Sequence, residues 1–293
     1  MVAGLNSGQV FLVNQAQGFN WQDYTVHDKV HPNKAGAEKM ATVWFEALKK
    51  VLASSETVFS PEIVRYKTLE DGDSLALHIF KPRNMQAGEK RPAIVYFFGG
   101  GWKLGTPIQF YRECAYYASK GMVAVSVDYR IGYLHHSTPF ESFEDAKDAI
   151  CWLRSHASDY QLDPDKIAVA GGSAGGHLAA ALGTIGSDET VPAGYRPNLS
   201  VLYYPVIDMV SRGYGFPEIK RDFEKISPIH HVSEATPSTL ILLGTKDPIV
   251  SVETIEAYQD KLLQKGVDCE LHLFEGAGHP IFLYRKPLTE EYY

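Results

Sequence analysis

The sequence predicts an α/β domain: a mostly parallel sheet of about eight strands, flanked by helices and preceded by a short helical N-terminal extension. Three observations lead there. From about Pro61 onward, short continuous apolar runs alternate with amphipathic segments. Most of those runs lack polar alternation, as strands covered on both faces should. Glycine-rich breaks follow several of them, at 99–101, 171–172 and 276–278.

The elements follow in order. Glu62–Leu69 and Ser74–Lys81 read as an antiparallel pair turning at Asp71-Gly72-Asp73. Pro92–Phe98 is a buried strand that ends at Gly99-Gly100-Gly101. Ile108–Ser119 reads as a helix and Met122–Asp128 as the next buried strand. Phe140–His156 spaces Phe143, Ala146, Ile150 and Leu153 as one helix face. Lys166–Ala170 is a strand that runs into a small-residue helix, Ser173–Leu182. Leu199–Pro205, Thr239–Leu243 and Glu270–Phe274 complete the strands, with a helix at Ser251–Gln264 stopped by Gly266.

Composition excludes several function classes. The chain has 293 residues, 45% of them hydrophobic and 12% aromatic, which argues against disorder. A net charge of −7 leaves no basic footprint for nucleic acid. Ala93–Phe98 and Met122–Val127, the longest apolar runs, are too short to span a bilayer. Met1–Val10 lacks the pattern of a signal peptide, so the chain as written is expected in the cytoplasm, although a longer parent could be secreted. Cys114, Cys151 and Cys269 are odd in number and widely spaced, which argues against a disulfide framework or a zinc site. Neither a metal nor an organic cofactor is expected.

In such a sheet, ligands bind at the carboxyl ends of the strands, and the chemistry-bearing residues lie there. Ala168-Val169-Ala170 runs directly into Gly171-Gly172-Ser173-Ala174-Gly175. So sharp a strand-to-helix turn needs small neighbours and holds the Ser173 hydroxyl at its tip. The alternative is a small-residue packing turn. A serine hydroxyl needs a base, and the base needs an orienting acid. Asp247 follows the strand at 239–243, and His279 sits in the glycine-rich loop after the strand at 270–274. The order Ser–Asp–His suits an acyl-transfer triad, with a turn aspartate and a surface histidine as the plainer alternatives. His177, on the helix after the turn, reads as structural. The glycines at 99–101 let backbone N–H groups approach an oxyanion, and Ala174 can supply another. No Lys-Ser/Thr follows them, so this is not a P-loop.

Residues from about Pro61 to Pro280 resemble the α/β-hydrolase esterases of the hormone-sensitive-lipase-like group, especially acetyl and feruloyl or acetyl-xylan esterases. The resemblance rests on Phe98-Gly99-Gly100-Gly101-Trp102, Asp128-Tyr129-Arg130, Glu144-Asp145-Ala146, the serine turn, Tyr204-Pro205-Val206, Ser227-Pro228, Gly244-Thr245-Lys246-Asp247 and Gly276-Ala277-Gly278-His279. It implies Ser173, Asp247 and His279 as the catalytic triad. Gly100, Gly101 and Ala174 would be the oxyanion donors, and Trp102 a substrate contact. Phe98 departs from the family's histidine at that place, which implies altered loop packing with catalysis retained. The substrate class implied is short acyl esters, acetyl or feruloyl, of plant polysaccharides such as xylan. A peptidase or arylformamidase is the rival on the same fold. A catalytically inactive carbohydrate-binding or interaction module is the rival outside enzymes.

Val26–Asn33, followed by a helix over Ala35–Leu52, resembles the last block of SGNH (GDSL-type) hydrolases, with Asp28 and His31 as its acid and base. Residues 1–57 are therefore expected to be a truncated tail of that kind or a helical cap, and 58–293 the hydrolase domain. The stripe of Ala37, Met40, Ala41, Trp44, Phe45 and Leu48 wants a partner surface. The family's last helix is expected to be missing near Glu290–Tyr293, leaving sheet surface that invites homo-oligomerisation.

Overall fold

The computed structural model describes residues 60–83, 85–186, 193–209 and 222–282, together with positions 23, 33, 35, 36, 38, 39 and 41–43. The chain divides into two compact units, Met1–Ser60 and Pro61–Tyr293. In the first, the described residues of 35–43 are helical. Asn33 starts that helix by accepting the Gly36 N–H at 2.9 Å, the role expected of a capping side chain. Asp28, His31 and, apart from Ala41, the apolar stripe lie outside the described residues.

The second unit is built on one eight-stranded sheet. Its strands are β1 (Glu62–Thr68), β2 (Ser74–Phe80), β3 (Arg91–Phe97), β4 (Val123–Val127), β5 (Leu162–Gly172), β6 (Leu199–Tyr203), β7 (Ser238–Gly244) and β8 (Cys269–Phe274). They lie in the order β1-β2-β4-β3-β5-β6-β7-β8. β2 pairs antiparallel with β1 and β4, and every other pairing is parallel. β4 is buried throughout and β3 from Ala93 on, which explains their apolar sequences, interrupted only by Ser126 of β4.

The described helices of this unit are α1 (Tyr111–Ser119), α2 (Gly132–His135), α3 (Pro139–Ser155), α4 (Ala174–Thr184), α5 (Phe223–Ile226) and α6 (Val252–Gln264). None of the described helices is long and apolar enough to cross a membrane. Thr138 caps α3 in a reciprocal box with Glu141. All eleven residues of α4 are buried, so this short helix is the centre of the core. Its glycines let it lie directly on the strands. A Cβ at Gly175 would come within 2.0 Å of the Phe97 carbonyl oxygen.

One buried charge ties the elements around the site. Asp145 on α3 has a fully buried side chain. Arg130 donates to it from Nε and Nη2, both at 2.8 Å, and Lys67 from Nζ at 2.6 Å. Paired this way, the carboxylate joins β1, α3 and the segment leaving β4.

Two features differ from the sequence reading. β5 starts at Leu162 rather than Lys166 because the pairing with β3 is irregular: Arg91 pairs with Leu162 but Ala93 with Ile167. That irregularity accommodates Pro164, which a regular central strand would not. The other is α2, closed by His136 in the left-handed region at φ 53°, which carries no apolar periodicity to announce it.

Candidate active site

Parallel register brings the carboxyl ends of five strands to one edge. Phe97 pairs with Gly171, Gly172 with Tyr203, Tyr203 with Leu242 and Gly244 with Phe274. The loops after β3, β5, β6, β7 and β8 therefore converge.

Ser173 lies between β5 and α4 with φ 56° and ψ −118°. A side chain in that region costs about 1–3 kcal/mol and persists only where its surroundings enforce it. Here they do. The Ser173 N–H donates to the Tyr203 carbonyl at 3.0 Å, and its carbonyl accepts the His177 N–H at 2.9 Å. Added Cβ atoms would lie 2.4 Å from the Gly175 oxygen at Gly171 and 2.7 Å from the Tyr204 hydroxyl at Gly172. The turn thus excludes every larger residue there and fixes the hydroxyl at the amino end of α4.

His279 Nε2 stands 3.0 Å from Ser173 Oγ. His279 Nδ1 stands 2.7 Å from Asp247 Oδ2. A carboxylate can only accept, so Nδ1 carries the proton and Nε2 is left to accept from the serine hydroxyl. The second Asp247 oxygen accepts the N–H groups of Ile249 at 2.8 Å and Val250 at 3.0 Å, which aims the first at the imidazole. Burial alone would push the Asp247 carboxyl up. The His279 contact and those two amides outweigh it and hold it below the usual carboxylate range. The triad is nearly shielded from solvent: Ser173 as a whole residue is 8% exposed, and the side chains of His279 and Asp247 are 11% and 0% exposed.

Gly99 rests against the turn, since a Cβ there would lie 2.8 Å from the Gly172 oxygen and 3.4 Å from Ser173 Cβ. Gly100 and Gly101 follow at φ 139° and 63°. Among the described residues, the N–H groups of Gly100, Gly101 and Ala174 donate to no protein acceptor. Amides left open beside a nucleophile are groups that a developing oxyanion can take up.

Trp102 follows the two glycines and is buried. It is 1% exposed at φ 58°, with its ring packed edge-on to His177 at 5.1 Å. His177 is fully buried and donates from Nε2 to the Ile226 carbonyl at 2.7 Å. Burial pushes its imidazole down to about 4, so it is neutral at ordinary pH.

Sequence reasoning missed Tyr204. Its ring lies 4.7 Å from the His279 ring at 64°, and Phe282 stacks parallel to it at 6.4 Å. Tyr204-Pro205 was visible as a motif, but its placement against the histidine comes from a left-handed φ of 37° after β6. Leu104, Ile108, Tyr133 and Leu134 form exposed apolar surface on segments bonded to or continuing the glycine loop. A cavity of about 450 Å³ opens beside Arg112, Glu113, Tyr116, Tyr117 and Tyr203, and no triad residue lines it. Among the described residues, no group of three His, Cys, Asp or Glu side chains could hold a metal ion.

The BD-FAE family model matches residues 77–221. The solved structure of a thermophilic esterase, esterase 2 of the planctomycete Thermogutta terrifontis, superposes with a TM-score of 0.73 at 36% identity, covering 80% of this chain and 88% of that one. The chain belongs to the α/β-hydrolase esterases. Two curated relatives are less similar to it. Esterase LipC of Mycobacterium tuberculosis is 28% identical over 241 residues, 71% of this chain and 57% of that protein. An acetylxylan esterase of Xylanibacter ruminicola is 26% identical over 227 residues, 72% of this chain and 44% of that protein. The chain spans about half the length of the curated relatives it matches.

Proposed function

We propose that this chain is a serine carboxylesterase acting on short acyl esters. The observation that carries the reading is the continuous relay Ser173 Oγ–His279 Nε2, His279 Nδ1–Asp247 Oδ2, beside open amides at Gly100, Gly101 and Ala174. His279 takes the hydroxyl proton as Ser173 Oγ bonds to the acyl carbon. The carbonyl oxygen becomes an oxyanion and is held by those amides at the amino end of α4. The intermediate collapses as His279 protonates the departing alcohol. Water, deprotonated by His279, then cleaves the acyl-enzyme and regenerates Ser173. Trp102 supports the glycine loop from within the core.

Structures of the Thermogutta esterase have been solved with propionate and with butyrate bound, which supports short acyl groups here. The acetylxylan esterase relative supports acetyl esters of plant polysaccharides such as xylan, and the sequence resemblance adds feruloyl esters. The apolar surface at Leu104, Ile108, Tyr133 and Leu134 suits an aromatic acyl group. Hydrolysis of matched acetyl, butyryl, octanoyl and feruloyl esters tests this. Preference for octanoyl over acetyl and butyryl overturns the short-acyl reading, and failure on all four overturns the esterase reading.

Residues 58–293 form the catalytic domain in this account, and residues 1–57 a separate segment resembling the end of an SGNH hydrolase. Replacing Asp28 and His31 together by alanine in the full chain is expected to leave ester hydrolysis unchanged. A loss there would give the segment a share in catalysis.

A further inference from the structure

Phe98 C=O and Gly99 N–H are the two ends of one peptide group, and the protein grips both. The Tyr129 hydroxyl donates to the Phe98 oxygen at 2.6 Å. The Gly99 N–H donates to Gln109 Oε1, also at 2.6 Å. Tyr129 is fully buried, and its ring stacks on the Phe98 ring with centroids 4.0 Å apart at 14°. Gly105, at φ 119°, presses on the same ring, since a Cβ there would lie 2.5 Å from Phe98 Cδ2.

Both grips are anchored to one strand. Tyr129 lies two residues past the end of β4, and its neighbour Arg130 is locked to Asp145 through its backbone N–H at 3.0 Å as well as its guanidinium. Gln109 belongs to a short 3-10 turn, Pro107–Phe110, whose Pro107 carbonyl accepts the Ser126 hydroxyl of β4 at 2.7 Å. Beyond the gripped peptide the chain passes through three successive positive φ angles, 139°, 63° and 58°, at Gly100, Gly101 and Trp102. Glycines alone would leave that path loose. A rotation of the Phe98–Gly99 plane would carry through to the N–H directions of the residues that follow.

We propose that Tyr129 and Gln109 are positioning residues for catalysis: they fix the Phe98–Gly99 peptide plane and thereby aim the Gly100 and Gly101 N–H groups at the oxyanion. This rests on the esterase reading above. Phe98 contributes by stacking, so its aromatic ring serves the loop through Tyr129 rather than through a polar side chain of its own.

Tyr129→Phe keeps the stack and removes only the hydroxyl. Gln109→Met keeps the length and removes the acceptor. Each is expected to lower kcat about ten- to a hundredfold while KM changes by less than about threefold, because the donors act on the transition state. Binding of a trifluoromethyl ketone, whose adduct with serine carries the oxyanion, is expected to weaken in parallel with kcat/KM. The double variant is expected to lose less than the product of the single losses, since both grip one peptide. Wild-type enzyme and Ser173→Ala run alongside. If Ser173→Ala is inactive while both single variants keep kcat within about twofold, the positioning role is wrong and the esterase reading stands. The role is also overturned if only the unfolding midpoint falls, or if KM rather than kcat changes. If Tyr129→Phe does not fold, Gln109→Met, at a half-buried position, decides the matter by the same readouts.

Discussion

Replacing Asp247 by asparagine perturbs the relay without changing its shape. The Ile249 and Val250 amides, at 2.8 and 3.0 Å, demand an acceptor, so the asparagine oxygen must face them. Its NH₂ then takes the place of the oxygen that lies 2.7 Å from His279 Nδ1. Nδ1 can no longer donate, and the imidazole proton moves to Nε2, the atom facing Ser173 Oγ. A protonated Nε2 cannot accept the hydroxyl proton. In triads of this kind that tautomer error costs about 10⁴ in kcat, or about 5 kcal/mol of barrier. The fold should be little affected, since volume and both amide bonds are kept. The assay is steady-state hydrolysis of p-nitrophenyl butyrate with thermal unfolding as control. A folded Asp247→Asn enzyme within about tenfold of wild type would refute the tautomer argument.

Burial pushes the Asp128 carboxyl up to about 6, against the opposing pull of His135 and the Tyr129 amide. The folded state therefore holds a proton that the unfolded state has already released, and native stability falls as pH rises from 3.8 through about 6. Asp128→Asn should gain about 2–3 kcal/mol in urea unfolding at pH 7 and nothing below about pH 3.5. His177 has the opposite sense. Its folded imidazole, pushed down to about 4, stays neutral while the unfolded one protonates below 6.5, so stability is lost as pH falls between those values. His177→Gln should flatten that acid slope by up to about 3 kcal/mol, read from urea midpoints at several pH values. Gly175→Ala would drive a Cβ to 2.0 Å from the Phe97 oxygen. About 3 kcal/mol or more of stability should be lost, visible as a lowered urea midpoint.

The sheet was legible because its central strands are covered on both faces and so spell continuous apolar runs. The turn at Ser173 was legible because its geometry tolerates only small neighbours, and sequence records small residues directly. What could not be read depends on direction in loops. Trp102 follows a glycine run, as a pocket residue would, yet its positive φ turns the ring into the core against His177. The grip of Tyr129 and Gln109 on one peptide joins residues on different loops, and no periodicity links them. Tyr204 reached the histidine for the same reason. The early start of β5 was not legible because a proline such as Pro164 suits a central strand only where the pairing is irregular, as it is here with β3.

The central claim is that Ser173 forms the acyl-enzyme. The direct measurement is mass spectrometry of the peptide containing Ser173 after reaction with a fluorophosphonate, with ester turnover followed on the same sample. A single adduct on Ser173, lost together with hydrolysis in Ser173→Ala, is the expected result. Turnover retained by Ser173→Ala, or an adduct on another residue with activity abolished, would contradict the account.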